Sequence, residues 1–499
     1  MTHDNSKNLP LFWGCFIALV TTSFAFITRA FLVNDPSLWP ADLGLDTVKA
    51  QELFGAGIWP FAISIILFSL VIDRIGYGKA MVFAFLCHVV SAWLTITAKS
   101  YDDLWLGTFI VALGNGTVEA VVNPAVATMF RQEKTKWLNI LHAGWPGGLV
   151  LGGLLALSLG EADWRWKVGL LMVPTLLYGV ILLRCRFPVQ ERVAAGVSDR
   201  EMFAEIGGLG MFIVLALVFL ELGRVFQWSG IVTMGAAAVI SLAFGIHSRS
   251  AGRPMFAFLL LVMVVLATTE LGVDSWITPL MEGEFKPLGI NPVWVLIYTS
   301  LLMMVLRLFA GPIVHSMSPV GLLCVSSLLA ALGLWSLAGA TGAMILLAAT
   351  LYGVGKSFFW PTMLGIVAER FPRGGALTLN AMGGAGMLGV GVVGAVLLGY
   401  IQDTEAVHQL QAKDPAVYQQ VVSEKQWVLG SYQAIDPDKV KLIAEEPKRA
   451  EITAVQDGSK KSALSTAASF PVIMLVSFLG LALWFRSKGG YKAEKLGSH

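Results

Sequence analysis

Several ionisable side chains lie inside long apolar runs of this sequence: Arg29, Glu119, Glu270, Asp274, Arg307 and Lys356. A charge in a hydrocarbon environment costs about 2.5–3.5 kcal/mol on insertion scales, so each needs a partner or a wet cavity. Asn115, Glu119 and Asn123 recur at i, i+4 and i+8, with Pro124 next. That spacing stacks them on one helical face, where a carboxyl between two amides can titrate and hydrogen-bond hydroxyls. The chemistry is a proton and substrate site; the structural alternative is a buried network between helices. Asn139, His142 and Trp145 follow at i, i+3 and i+6, before Pro146. Two hydrogen-bonding groups and an aromatic face suit a polar ring, though a packing Trp serves equally. Glu270 and Asp274 share a face and can take part in proton coupling, bind a cation or pair with Lys356, and the same pair could simply hold helices in register. Trp276, Lys356, Trp360 and Asn380 complete the candidate solute contacts. Arg29 is a further candidate, and it can also snorkel or pair with Glu119. Arg307 is read as structural.

The elements that must carry these residues are membrane spans. Of 499 residues 56% are hydrophobic and only 14% charged, too few charges to cover a soluble protein of this size. The apolar runs approximate 10–33, 52–72, 78–98, 102–129, 136–160, 165–184, 205–223, 229–247, 254–280, 292–314, 320–340, 342–368, 375–400 and 466–486. Each reaches the roughly 20 residues that cross a bilayer core. The fold class is all-α, a polytopic membrane protein of about fourteen spans. Alternate loops carry Arg74 and Lys79, Arg131 with Lys134 and Lys136, and Arg370 with Arg373. Basic loops stay in the cytoplasm, which places both termini there, in the cell's inner (plasma) membrane. The 401–465 stretch then lies outside as a polar loop with helical segments such as Ala416 to Leu429. Asp414 and Pro415 suit a helix start there. The N-terminus reads as an uncleaved first span. Cys15, Cys87, Cys185 and Cys324 show no metal or disulfide spacing.

Residues recur at an offset of 241 to 242: Gly114 with Gly355, Phe130 with Phe371, Asn139 with Asn380, Gly148 with Gly389 and Asp73 with His315. The offset pairs the first six spans with the last six and leaves 205–223 and 229–247 as an inserted hairpin. The domains expected are a six-helix bundle over 10–184, a linker and hairpin over 185–253, a second bundle over 254–486 including the 401–465 loop, and a tail over 487–499. Duplicated halves of this kind are how many secondary transporters build alternating access, with solute bound at midplane between them.

The stretch Ser69-Leu-Val-Ile-Asp73-Arg74-Ile-Gly76-Tyr-Gly-Lys79 resembles the loop signature of the major facilitator superfamily. Ser69 stands where that signature has Gly, and Tyr77 and Gly78 replace part of its basic run. The resemblance implies a central cavity lined by the first, fourth, seventh and tenth repeat helices, and a conformational role for Asp73, Arg74 and Gly76. Glu119-Ala-Val-Val-Asn123-Pro124, followed by Leu138-Asn139, is similar to the fucose–proton symporter branch. That similarity implies proton-coupled sugar uptake with Glu119 as the protonation site. The branch has an acid in its first helix, where this chain has Arg29. No zinc-protease, serine-hydrolase or nucleotide-loop motif is present, so an enzyme is not expected. The expected partners are a small solute, H+ (or Na+) and the lipid bilayer, with no nucleic acid, no cofactor and no metal, and the chain is expected to act as a monomer. An exporter of amphipathic compounds and an importer of organic anions are the competing transport readings.

Overall fold

The computed structural model describes residues 8–34, 38–45, 47–160, 162–273, 289, 291, 293–427 and 430–496. The long helices, in chain order, are α1 (Leu9–Asn34), α2 (Trp59–Ile75), α3 (Tyr77–Ile96), α4 (Tyr101–Met129), α5 (Lys134–Leu159) and α6 (Trp164–Leu183). The hairpin α7 (Asp199–Phe226) and α8 (Gly230–Ser248) follows. The second set is α9 (Pro254–Gly272), α10 (Val293–Leu308 and Ala310–Ser316, bent by 63°), α11 (Pro319–Gly339), α12 (Ala343–Lys356 and Phe359–Arg370), α13 (Pro372–Lys413) and α14 (Glu446–Ser487). Among the described residues eleven helices are long and apolar enough to cross a membrane, twelve with the bent α10. The expectation of fourteen exceeds this by α2, which has only 17 residues, and by the broken α12. The chain is a multi-pass membrane protein, and its long helices leave many Leu, Ile, Val and Trp side chains exposed, as a lipid-facing surface requires.

Helix starts follow local capping rules. Ser100 with Asp103, and Ser198 with Glu201, form capping boxes that satisfy the first free N–H groups of α4 and α7. Close helix contact depends on missing side chains: a Cβ at Gly116 on α4 would collide with the Phe61 carbonyl of α2. The hairpin is pinned at its base, where the amides of Gly208 and Leu209 donate to the carbonyls of Ser250 and Ala251 at 3.0 and 2.9 Å. α7 packs on α9 and α13, while α8 is mostly exposed to lipid.

The 401–465 stretch departs from its reading. α13 and α14 run on past the bilayer, and Pro415–Val421 is a short helix as expected. The second part of the expected helix is instead a strand. β1 (Val422–Trp427) pairs antiparallel with β2 (Gly430–Ile435). Val421, Val417, Ile435, Leu410 and Ile452 close a small core of their own there, so this is a folded cap rather than a solvated excursion. The strand is selected by its partner: Val422 pairs with Ile435, whose side chain is buried in that small core.

On the opposite, basic face the chain end folds back under the second half. Glu494 accepts from Arg253 at 2.7 and 2.9 Å and lies 3.1 Å from Arg370. Its backbone N–H donates to the Glu369 carbonyl, and the Tyr491 hydroxyl donates to the Glu369 carboxylate, both at 2.8 Å. Burial pushes the Glu494 carboxyl up, but the Arg253 bond and the Arg253, Arg370 and Arg373 charges outweigh it and hold it below the usual carboxylate range. A depressed carboxylate contributes above its free-chain pKa and stops contributing as pH falls through the lower folded value. The clamp is therefore complete from pH 6 to 8. Replacing Glu494 with Gln is expected to cost about 1 kcal/mol, discounted for partial exposure. Limited proteolysis of residues 488–496 should quicken by the same factor at pH 6 and pH 8.

Candidate functional site

Prolines within the spans set out the site. A proline cannot donate to the carbonyl four residues earlier, and in hydrocarbon that carbonyl must find another donor. Pro146 on α5 frees the His142 carbonyl, which accepts from Arg307 Nη1 at 3.0 Å. Pro361 on α12 frees the Ser357 carbonyl, which accepts from Arg307 Nε at 2.6 Å. Pro124 on α4 frees the Ala120 carbonyl, which accepts from Asn380 Nδ2 of α13 at 3.0 Å. Pro372 frees the Ala368 carbonyl, which accepts from Lys134 Nζ at 3.1 Å. Three of these four bonds join one half of the molecule to the other.

Arg307 is the hub. It is 1% exposed, and its third donor, Nη2, meets Glu270 Oε1 at 2.7 Å. Glu270 lies in a π-helical turn, Thr268–Gly272, and its other oxygen accepts the Trp360 backbone N–H at 3.1 Å. Single π turns of this kind recur at functional positions because they re-aim a side chain.

Across from this pair lies an acid in different company. Glu119 is buried and accepts from Asn123 Nδ2 at 2.7 Å, and Asn123 Oδ1 accepts from His142 Nε2 at 2.8 Å. Among the described residues no cation meets Glu119. Glu119, His142, Trp145, Glu270, Arg307 and Trp360 line one small pocket of about 20 Å³ between the halves. That is room for a water molecule, so this conformation is contracted around its centre.

The sequence candidates divide accordingly. Glu119, His142, Trp145, Glu270 and Trp360 meet at the pocket, with Asn123 linking two of them. Asn115 does not join them. It accepts from His88 Nε2 at 2.9 Å, and His88 Nδ1 lies 2.9 Å from the Tyr178 hydroxyl, a network inside the first half. The reason is rotation: eight residues overshoot two turns by about 80°, so only the adjacent members of the triplet share a face. Asn139 donates to the Thr135 carbonyl and, at 3.3 Å, to Thr362 across the interface. Asn380 likewise joins the halves rather than the pocket wall. Lys356 is buried with its ammonium 5.2 Å from the Tyr352 ring centroid. Of the expected pairing of Glu270 and Asp274 with Lys356, Glu270 pairs with Arg307 instead and the Asp274 part lies outside the described residues; the alternative pairing of Arg29 with Glu119 is not made. Arg29 lines a different cavity. Asp274 and Trp276 lie outside the described residues. Arg307, read as structural, does tie helices together; what the sequence reading lacked is its place in the pocket wall, for which Pro146 and Pro361 were the available signal, since each leaves a carbonyl wanting a donor.

The loop residues are also placed. Asp73 takes two bonds from Arg192, at 2.5 and 3.1 Å, and Arg192 and Arg74 both reach Asp199 at the start of α7. Gly76 turns the chain with φ +84°, a conformation that penalises any Cβ. Nearby, Lys134 pairs with Glu191 at 2.7 Å, and the Thr135 hydroxyl donates to Glu369 at 2.5 Å. The halves are thus tied together on the basic face.

The family model of the Major Facilitator Superfamily matches residues 11–281. The chain belongs to that superfamily. Solved structures similar to it include the human organic anion transporter TETRAN (TM-score 0.60, 12% identity, 96% of this chain and 100% of that one). The proton:xylose symporter XylE is similar at TM-score 0.60 and 14% identity, over 95% of each chain. The E. coli fucose:proton symporter FucP is similar at TM-score 0.56 and 13% identity, over 92% of this chain and 98% of that one. No curated protein sequence matches the chain. At these identities the structures establish the fold. The superfamily and its relatives here are transporters, so the chain is a transporter and not an enzyme.

Two outcomes follow from this geometry. Arg307→Gln is expected to cost about 3–5 kcal/mol by taking the guanidinium partner from the buried Glu270, and Glu270→Gln in the same chain should restore part of it. Thermal unfolding of the purified protein reads both. Pro124→Ala with Pro146→Ala returns two carbonyls to their helices and weakens the bonds between the halves. A cysteine at Thr362, buried at that interface and placed in a chain lacking the four native cysteines, should then react several-fold faster with a thiol reagent.

Proposed function

We propose that this transporter carries a monosaccharide or similar small polar solute into the cell together with a proton, by alternating access of its two six-helix bundles (10–184 and 254–486), with the 185–253 hairpin as an accessory. The observation that carries the reading is the contrast between two buried acids in one pocket. Glu270 is held by a guanidinium and a backbone N–H. Glu119 is held by an amide alone, with His142 next in the chain of bonds. A buried charge without a cation is costly, and protonation removes the cost. Glu119 is the acid that can gain and lose a proton as the pocket closes and opens, while Glu270 stays ionised with Arg307. Trp145 and Trp360 offer ring faces for a sugar, and Asn123 and His142 offer hydrogen bonds to hydroxyls. FucP and XylE, described as sugar:proton symporters, share the fold.

The cycle runs from an outward-open state in which Glu119 takes a proton. The neutral acid admits closure over the solute, the bonds between halves on the basic face break, and solute and proton leave to the cytoplasm. Both termini then lie in the cytoplasm and the protein in the plasma membrane, as the Arg- and Lys-rich loops favour. A second reading, uptake of an organic anion, is favoured by Arg307 in the pocket wall.

The test is uptake of labelled monosaccharides, nucleosides and organic anions into proteoliposomes, with Glu119→Gln beside the wild type. A sugar should accumulate only with an inward proton gradient, and the variant should exchange it without accumulating it. Accumulation by Glu119→Gln equal to wild type would remove Glu119 from coupling. Accumulation of an organic anion but no sugar would replace the solute class.

A further inference from the structure

One buried charge plays no part in the pocket between the halves. Arg29 on α1 is 4% exposed, and its three guanidinium nitrogens have no hydrogen-bond partner among the described residues. Its guanidinium lies against Gly57, where the chain breaks before α2 and where a Cβ would collide with it. The Phe26 ring centroid is 5.6 Å away. An aromatic face gives such a cation on the order of 1–2 kcal/mol, short of what burial removes.

Arg29 lines a second small cavity of about 40 Å³, together with Thr28, Ser91, Thr95, Thr108 and Trp39. The walls come from α1, α3, α4 and α6 of the first half. Among the described residues no acidic side chain lines it. Asp42, near Trp39, is engaged by Trp164 Nε1 at 2.7 Å. The Ser91 hydroxyl already donates to the Gly107 carbonyl at 2.7 Å, which leaves the threonine hydroxyls and the unpartnered Trp39 Nε1 as neutral donors among the lining residues. The space suits one small ion: a water needs roughly 10–15 Å³ of such volume, and an organic acid far more than is present. The charge also suits one, since a single monovalent anion neutralises a single guanidinium.

We propose that Arg29, with Thr95 and Thr108, holds a chloride ion as a resident ligand inside the first bundle, apart from the solute path. Chloride accepts hydrogen bonds from guanidinium and hydroxyl groups and sheds its water at low cost compared with fluoride or a divalent anion. The site neutralises the first half internally, so α1 and α2 can keep their close contact at Gly57 through the cycle. It stands independently of the solute and of Glu119.

The experiment is thermal unfolding of the purified full-length protein as chloride replaces gluconate at constant ionic strength. Wild type should gain several degrees along a saturable curve, and bromide should substitute for chloride. Arg29→Gln should lose the dependence. Thr108→Val keeps the fold and the charge, and should weaken apparent chloride affinity about tenfold, as the loss of one bond to an ion does. Identical unfolding of wild type in chloride and gluconate overturns the proposal. Full dependence in Arg29→Gln overturns it too, by placing the ion elsewhere. Where Arg29→Gln does not fold, unchanged affinity in Thr108→Val is decisive against it. Labelled chloride entering proteoliposomes faster than protein-free vesicles overturns the resident role.

Discussion

Inside a bilayer every freed carbonyl and every ionised group must find its partner within the protein, and Arg307 is where this chain gathers both requirements. Its five N–H donors reach two carbonyls that proline has released and one carboxylate, on α5, α12 and α9. Remove the prolines and the arginine has less to bind; remove the arginine and two backbone carbonyls and Glu270 lose their donor together. One wall of the pocket and one of the bonds between the halves depend on this single planar group. Lysine, with a point charge and no fork, does not replace it.

Much of this fold was legible as composition and period. Hydropathy marks the long helices, and the constant offset between halves separates the inserted hairpin. The motif around Asp73 is legible too, but its partner is not: Arg192 comes from the linker, 119 residues on, and only the folded chain brings them together. The outer cap was misread past Val421 because short amphipathic segments carry no decisive period, and the pairing that selects strand comes from β2.

At the site, types were readable and directions were not. Glu119, Asn123 and His142 lie in the places their spacing suggested. Asn115 was assigned to the same face although the helical period rotates it toward α3, where His88 waits. Arg307 was set aside because distance from a span's end says nothing of what a long side chain reaches. Sequence gives which residues are expensive to bury; the packing decides which of them share a partner.

The strength of the ties between halves is what permits motion. At midplane they are single hydrogen bonds to carbonyls, each worth on the order of 0.5–1.5 kcal/mol net. An interface made of several such bonds holds one conformation yet yields when a ligand or a proton favours the other by a few kcal/mol. Proline makes that arrangement possible, because a carbonyl released from its helix is free to bond a side chain of the opposite half. Arg307 with Glu270 and Arg253 with Glu494 lie within the second half, so a separation of the halves leaves both intact. The ion pair that does cross among the described residues, Glu133 with His315, is partly exposed on the basic face, where solvent screening keeps it weak.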